Sequence, residues 1–94
     1  MINMIIKILV RKGEYRDSIQ LMRVSNEIMR IKGVEKAAAM MATDNNKKIL
    51  ADAGLLIKEI KKTGANDLIF AVSAVDKSVV EKAFQKLEEL LGAG

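Results

Sequence analysis

Thr43-Asp44-Asn45-Asn46-Lys47 is the run whose residue types come nearest to doing chemistry. It follows an apolar stretch ending at Met41-Ala42 and opens a helical pattern, so its first backbone N–H groups lack intrahelical partners. Such groups, aided by the helix dipole, hold phosphate or carboxylate. Thr43, Asp44, Asn45, Asn46 and Lys47 are therefore the candidate binding residues for an anionic small molecule. The same types are what a helix cap requires, and an Asp44 carboxylate would itself satisfy those donors. Lys47 and Lys48 point the other way: cations in a first turn oppose the dipole, and a bound anion would balance them.

Much other chemistry is excluded by absence. The chain has no cysteine and no histidine, hence no thiol nucleophile, thiolate metal site, disulfide or imidazole acid–base pair. No catalytic residue, metal or cofactor is expected. Glu14 and Asp17 bracket Tyr15, but Asp17 reads as a helix cap and Glu14 as a solvated carboxylate. Met22, Met29, Met40 and Met41 fall on apolar positions and read as core filler.

The 16 basic side chains against 12 acidic ones leave a net charge of +4, which permits anionic partners without demanding one. Arg16, Arg23 and Arg30 recur every seven residues along one helix edge, with Glu27 in ion-pair reach of the last two. Without stacking aromatics or unpaired charge, that edge argues against nucleic acid. Lys47, Lys48, Lys58, Lys61 and Lys62 form the densest basic group, which also suits an ordinary soluble surface. The opening run Met1 to Val10 is too short to span a bilayer, is broken by Lys7 and lacks a cleavage site. A soluble, cytoplasmic protein without membrane attachment is expected, consistent with the lack of cysteine.

Ninety-four residues, half of them hydrophobic, suit one small domain with an aliphatic core, since only two Phe, one Tyr and no Trp are present. Met4 to Val10 reads as a strand. Asp17 and Gln20 resemble a capping box, and Leu21, Val24, Ile28 and Ile31 make one helical stripe that Gly33 ends. Val34 to Ala42 is a second strand, followed by a helix from Thr43 or Asp44 to about Ala53 before Gly54. Leu55 to Lys62 adds a helical turn, Asn66-Asp67 a turn signal, and Leu68 to Val75 a third strand. The last helix starts at Asp76 or Ser78, with Ser78 and Glu81 as a capping box. Val80, Ala83, Phe84, Leu87, Leu90 and Leu91 form its stripe.

The order β-α-β-α-β-α predicts an α/β fold, a small two-layer sandwich related to the ferredoxin-like fold, with helices on one face and the last strand missing. A flavodoxin-like parallel sheet is the alternative. In a two-layer sandwich one sheet face stays open and its strands should alternate apolar and polar residues. The first and third strands break their apolar runs only at Lys7 and Ser73. Both therefore look buried on both sides, and the open face must be covered, by a second copy or another domain, or by Leu55 to Lys62 folding back.

The chain also resembles the N-terminal domain of the FdrA family, acyl-CoA synthetase-like proteins related to succinyl-CoA synthetase. The resemblance lies in Tyr15-Arg16-Asp17-Ser18, Leu21-Met22, Met40-Met41-Ala42-Thr43, Asn46-Lys47, Leu50, Gly54-Leu55-Leu56 and Asn66-Asp67-Leu68. Ala42 stands where that family commonly has Gly, and Ala65 where it has Pro. The resemblance implies that residues 1–94 form one leading domain, with CoA binding and acyl or carbamoyl transfer left to domains downstream. It implies an accessory role and not catalysis. Together with the doubly apolar strands it points to a non-catalytic interaction or oligomerisation module that self-assembles as a homo-oligomer or docks on a larger synthetase or transferase subunit. The alternative is a regulatory domain binding an anionic metabolite or CoA phosphate at Thr43–Asn46.

Overall fold

A computed structural model of the chain describes residues 4–52 and 58–92. Its elements run β1 (Ile5–Arg11), α1 (Ser18–Met29), β2 (Val34–Met41), α2 (Asp44–Asp52), α3 (Lys58–Lys61), β3 (Leu68–Ala74) and α4 (Lys77–Gly92). The expected Gly54 stop and Leu55–Ile57 lie outside the described residues. The strands form one sheet in the order β1-β3-β2, and β3 is antiparallel to both neighbours. Two strands joined through a helix, with a third inserted between them, make the split β-α-β unit of the ferredoxin-like fold. The antiparallel pairing rules out the flavodoxin-like alternative.

Local chemistry sets each helix start. Asp17 lies outside α1 in extended geometry and its carboxylate accepts the N–H groups of Ile19 and Gln20. At α4 the cap is Asp76, whose Oδ1 accepts the Val79 N–H at 3.0 Å and the Ser78 hydroxyl at 2.7 Å. Ser78, the expected alternative cap, instead sits inside the first turn. It turns its hydroxyl to Asp76, because an aspartate in the cap position is the stronger acceptor. Gly33 closes the α1–β2 connection at a φ of +99°, a conformation that side chains resist.

The main core lies between the sheet and the two long helices. Leu68, Phe70, Val72 and Ala74 of β3 pack there against Leu21, Val24 and Ile28 of α1 and Val80, Ala83, Leu87 and Leu91 of α4. Phe70 and Phe84 meet edge to face, their ring centres 5.7 Å apart. Each fully buried Phe or Leu contributes about 1.5–3 kcal/mol relative to exposure. Ile69 faces the opposite side and forms a second cluster with Ala42, Leu50 and Ile60, flanked by Ile8 and Met40. Thus α2 and α3 lie against the other sheet face and cover one part of it.

Only β3 is buried along its whole length, as the central strand. β1, also expected to be covered on both sides, is an edge strand, and Ile6 is 51% exposed. Its apolar run reflects β propensity more than burial. Met22 and Met29, read as core filler, are 64% and 48% exposed on α1. Their positions flank the stripe of Leu21, Val24 and Ile28 without joining it. Met41 is buried and Met40 half-buried, as expected.

Candidate functional site

The end of β2, the start of α1 and the start of α2 converge on an open groove of about 370 Å³. Tyr15, Arg16, Ser18, Leu21 and Met22 line one wall; Ala39, Met40, Met41, Thr43, Asn46 and Ala65 complete it. Residues far apart in sequence, 15–22 and 39–46, thus meet because α1 packs along β2.

Of the five predicted site residues, Thr43 and Asn46 reach this groove, whereas Asp44, Asn45 and Lys47 do not line it. Thr43 is the cap: its hydroxyl accepts the Asn46 N–H at 3.1 Å, and its carbonyl accepts the Lys47 N–H at 2.9 Å. Asp44, expected as the alternative cap, is the first residue of α2, and both it and Asn45 are exposed. The Asn46 side chain donates to the Met41 carbonyl at 2.8 Å, and the Lys47 ammonium donates to the Thr63 carbonyl. Both side chains therefore tie α2 to its neighbours. Lys47, in the first turn of α2, thus directs its ammonium to a carbonyl of the loop before β3.

Arg16, read from spacing as part of a solvated helix edge, is the cation of the groove. It lies ahead of α1 and contacts Glu14 through Nε and Nη2, each 3.2 Å from the carboxylate. Arg30 pairs with Glu27 at 3.3 Å, as its spacing predicts. Arg11 at the far end of β1 pairs with Glu14 and with Glu88 of α4. Just ahead of β3, Asp67 accepts the N–H groups of Gly13 at 2.8 Å and Gly64 at 2.9 Å, clamping two loops. Those bonds, Gly64 first, hold its carboxyl below the ordinary aspartate value. Lys12 and Lys47 add to the effect and desolvation opposes it.

A second depression, of about 500 Å³, opens on the sheet face that carries Ala38, Met40 and Ala71 and extends to Met29 at the end of α1. Ala38, Met40 and Ala71 contribute to its floor, and Ile6, Ile49 and Leu50 to its sides. Its lining is mostly aliphatic, with Glu35, Lys36 and Ser73 at one end.

The split β-α-β sandwich defines the class: a small ferredoxin-like domain. Within it, the chain belongs to the family described as "AllF, heavy metal-associated domain", whose model matches residues 4–94. It is also 33% identical over 87 residues to a protein of Escherichia coli (strain K12) described as "Uncharacterized protein YahF". That match covers 93% of this chain and 17% of the relative, so the chain corresponds to a small part of a much longer protein. No solved structure matches.

These findings overturn the resemblance to the FdrA N-terminal domain, and with it the inferences about CoA, synthetases and transferases. The residues that carried it explain why it misled. Asp17 and Thr43 are helix caps, Asn46 is a tether, and Asp67 is a loop clamp, so the pattern reports how this fold is built. No helix among the described residues is long and apolar enough to cross a membrane.

The family description raises a heavy metal, and the residues do not fit one. Soft ions are held by thiolates and imidazoles, and the chain has neither. Among the described residues no three carboxylates gather to hold an ion. The thioethers of Met22, Met40 and Met41 are neutral and share their groove with the Arg16 guanidinium, which repels a cation.

Proposed function

We propose that this chain is a non-catalytic interaction domain that self-associates and acts as an accessory module within a longer protein. The observation that carries this reading is the half-covered sheet face. Leu50 and Ile60 seal one part of it, while Ile6 and Ile49, at 51% and 52% exposure, stand beside an aliphatic depression. Exposed branched side chains gathered around one depression mark an association surface more often than scattered surface apolars do. The extent of the YahF match supports an accessory role. Sedimentation equilibrium tests the reading: it expects a dimer or larger species at micromolar concentration, and a monomer throughout would overturn it.

A second reading rests on the first groove, which brings Arg16, Ser18 and Thr43 together at the start of α2. It makes the domain a regulatory one that holds a small anion by the guanidinium and hydroxyls. Because Glu14 already engages Arg16, the anion must compete with an internal carboxylate. Calorimetry with inorganic phosphate and with a dicarboxylate checks this, and heats unchanged by Arg16→Ala would reject it.

A further inference from the structure

The Arg16–Glu14 pair at the wall of the first groove is one link of a longer chain of charges. Glu14 Oε2 lies 3.2 Å from both Nε and Nη2 of Arg16, so the guanidinium holds a single carboxylate oxygen from two donors. The other oxygen, Oε1, lies 3.5 Å from Nη1 of Arg11. Arg11 in turn reaches Glu88 of α4 through Nη2. Glu14 therefore stands between two arginines. On leaving Arg16 it keeps Arg11 as a partner, and its charge is not stranded.

The groove sets the chemistry of what can take the place of Glu14. Of the residues that line it, Arg16 alone is charged. One cation balances one negative charge, which suits a monocarboxylate better than a phosphate dianion. In the same groove the Thr43 hydroxyl accepts the Asn46 N–H and keeps its own proton to donate. The remaining lining is mostly apolar. Tyr15 and Met22, 69% and 64% exposed, line it together with Leu21, Met40 and Met41. An apolar body would cover that surface, and flexible methionines adapt to its shape. At about 370 Å³ the groove has the size of a small-molecule site at the lower end of their range.

We propose that the groove binds a small monocarboxylate with an apolar tail, whose carboxylate displaces Glu14 from Arg16 while Glu14 stays on Arg11. This rests on the anion-binding reading and names its ligand class. Glu14 is the internal occupant of the site, a carboxylate already seated on the guanidinium. Both partners are partly exposed, and ion pairs of that kind are weak enough for a ligand to break. Because Glu14 lies two residues before Arg16, it returns when the ligand leaves and sets affinity by competition.

Tyr15 is the single tyrosine and the chain has no tryptophan, so its fluorescence reports on the groove directly. Titration with acetate, 4-methylpentanoate, succinate and inorganic phosphate, read by calorimetry and by Tyr15 emission, tests the ligand class. 4-Methylpentanoate should bind about tenfold more tightly than acetate, through its buried tail, and more tightly than succinate or phosphate. Arg16→Ala should abolish that binding. Glu14→Gln removes the competitor and should tighten it about two- to sixfold, a gain that loss of fold cannot imitate. Arg11→Gln takes away the second partner of Glu14. It should weaken binding in the unaltered chain and change nothing once Glu14→Gln is present. If no probe binds either the unaltered chain or Glu14→Gln, the anion reading falls and the proposal with it. If phosphate or succinate binds through Arg16 as tightly as 4-methylpentanoate, the anion reading stands and the apolar-tailed class is wrong. If 4-methylpentanoate binds but Glu14→Gln gains nothing, Glu14 is not its competitor.

Discussion

Gly33 lies directly against Val79: a Cβ on Gly33 would come within 2.8 Å of Val79 Cγ2 and 3.1 Å of Val75 Cγ2. With φ at +99°, the position excludes side chains twice over, by backbone and by space. Gly13, at φ +69°, has nothing within 4 Å of the same position. Gly33→Ala should therefore destabilise by roughly 2–4 kcal/mol, and Gly13→Ala by about 1–2 kcal/mol. Urea denaturation of the two variants measures the difference, and equal midpoints would contradict the close packing.

Asp67 and Asp76 make stability depend on acid. Backbone N–H groups from Gly64 and Gly13 depress the first carboxyl; the Ser78 hydroxyl and then the Val79 N–H depress the second. A group whose folded pKa is lowered contributes stability above its unfolded value, here 3.8, and loses it as pH falls through the lower folded value. Melting temperature should hold level down to about pH 5 and then decline as the two carboxyls protonate. The decline should be shallower in Asp67→Asn and shallower again with Asp76→Asn added. An identical acid limb in all three proteins would remove these carboxylates from the account.

The cover over the second sheet face depends on Ile60, which is fully buried beside Leu50 and Ile69. Ile60→Ala should cost about 2–4 kcal/mol through the cavity it leaves. Ile49→Ala, one position from Leu50 but half exposed, should change stability by less than about 0.5 kcal/mol. Guanidinium melts would show both, and a negligible effect at Ile60 would mean that α3 does not seal this face.

Metal removal should leave the fold unchanged. An ion bound only by the folded chain would stabilise it by about 2.7 kcal/mol at a hundred times its dissociation constant. Melts with zinc or copper(I), and with excess chelator, should superimpose. A rise of several degrees with either metal would show a donor set other than thiolate and imidazole.

The helices were legible because their signals are local. Asp17, the stripe Leu21-Val24-Ile28 and Gly33 specify α1 within one stretch of chain, and Val80, Ala83, Leu87 and Leu91 do the same for α4. Caps were ambiguous wherever two capping residues stood together. Thr43 against Asp44 and Asp76 against Ser78 are separated by a single residue or two, and backbone geometry decides between them. The candidate site was legible only in part. Thr43 and Asn46 were named from their types, but Arg16 enters the groove because α1 and β2 pack together, which spacing within one helix cannot reveal.

The sequence by itself determined the element order, the aliphatic core and the absence of thiol and imidazole chemistry, since each follows from residue type and short-range periodicity. Tertiary structure decided which strand is central and which face α2 and α3 cover. Those outcomes depend on hydrogen bonds between residues far apart in the chain, such as Ala39 to Ser25 and Gly13 to Asp67, and apolarity alone does not encode them. The similar apolarity of β1 and β3 shows the reason: one run is apolar because it is enclosed, the other because branched apolar residues favour a strand even at an edge.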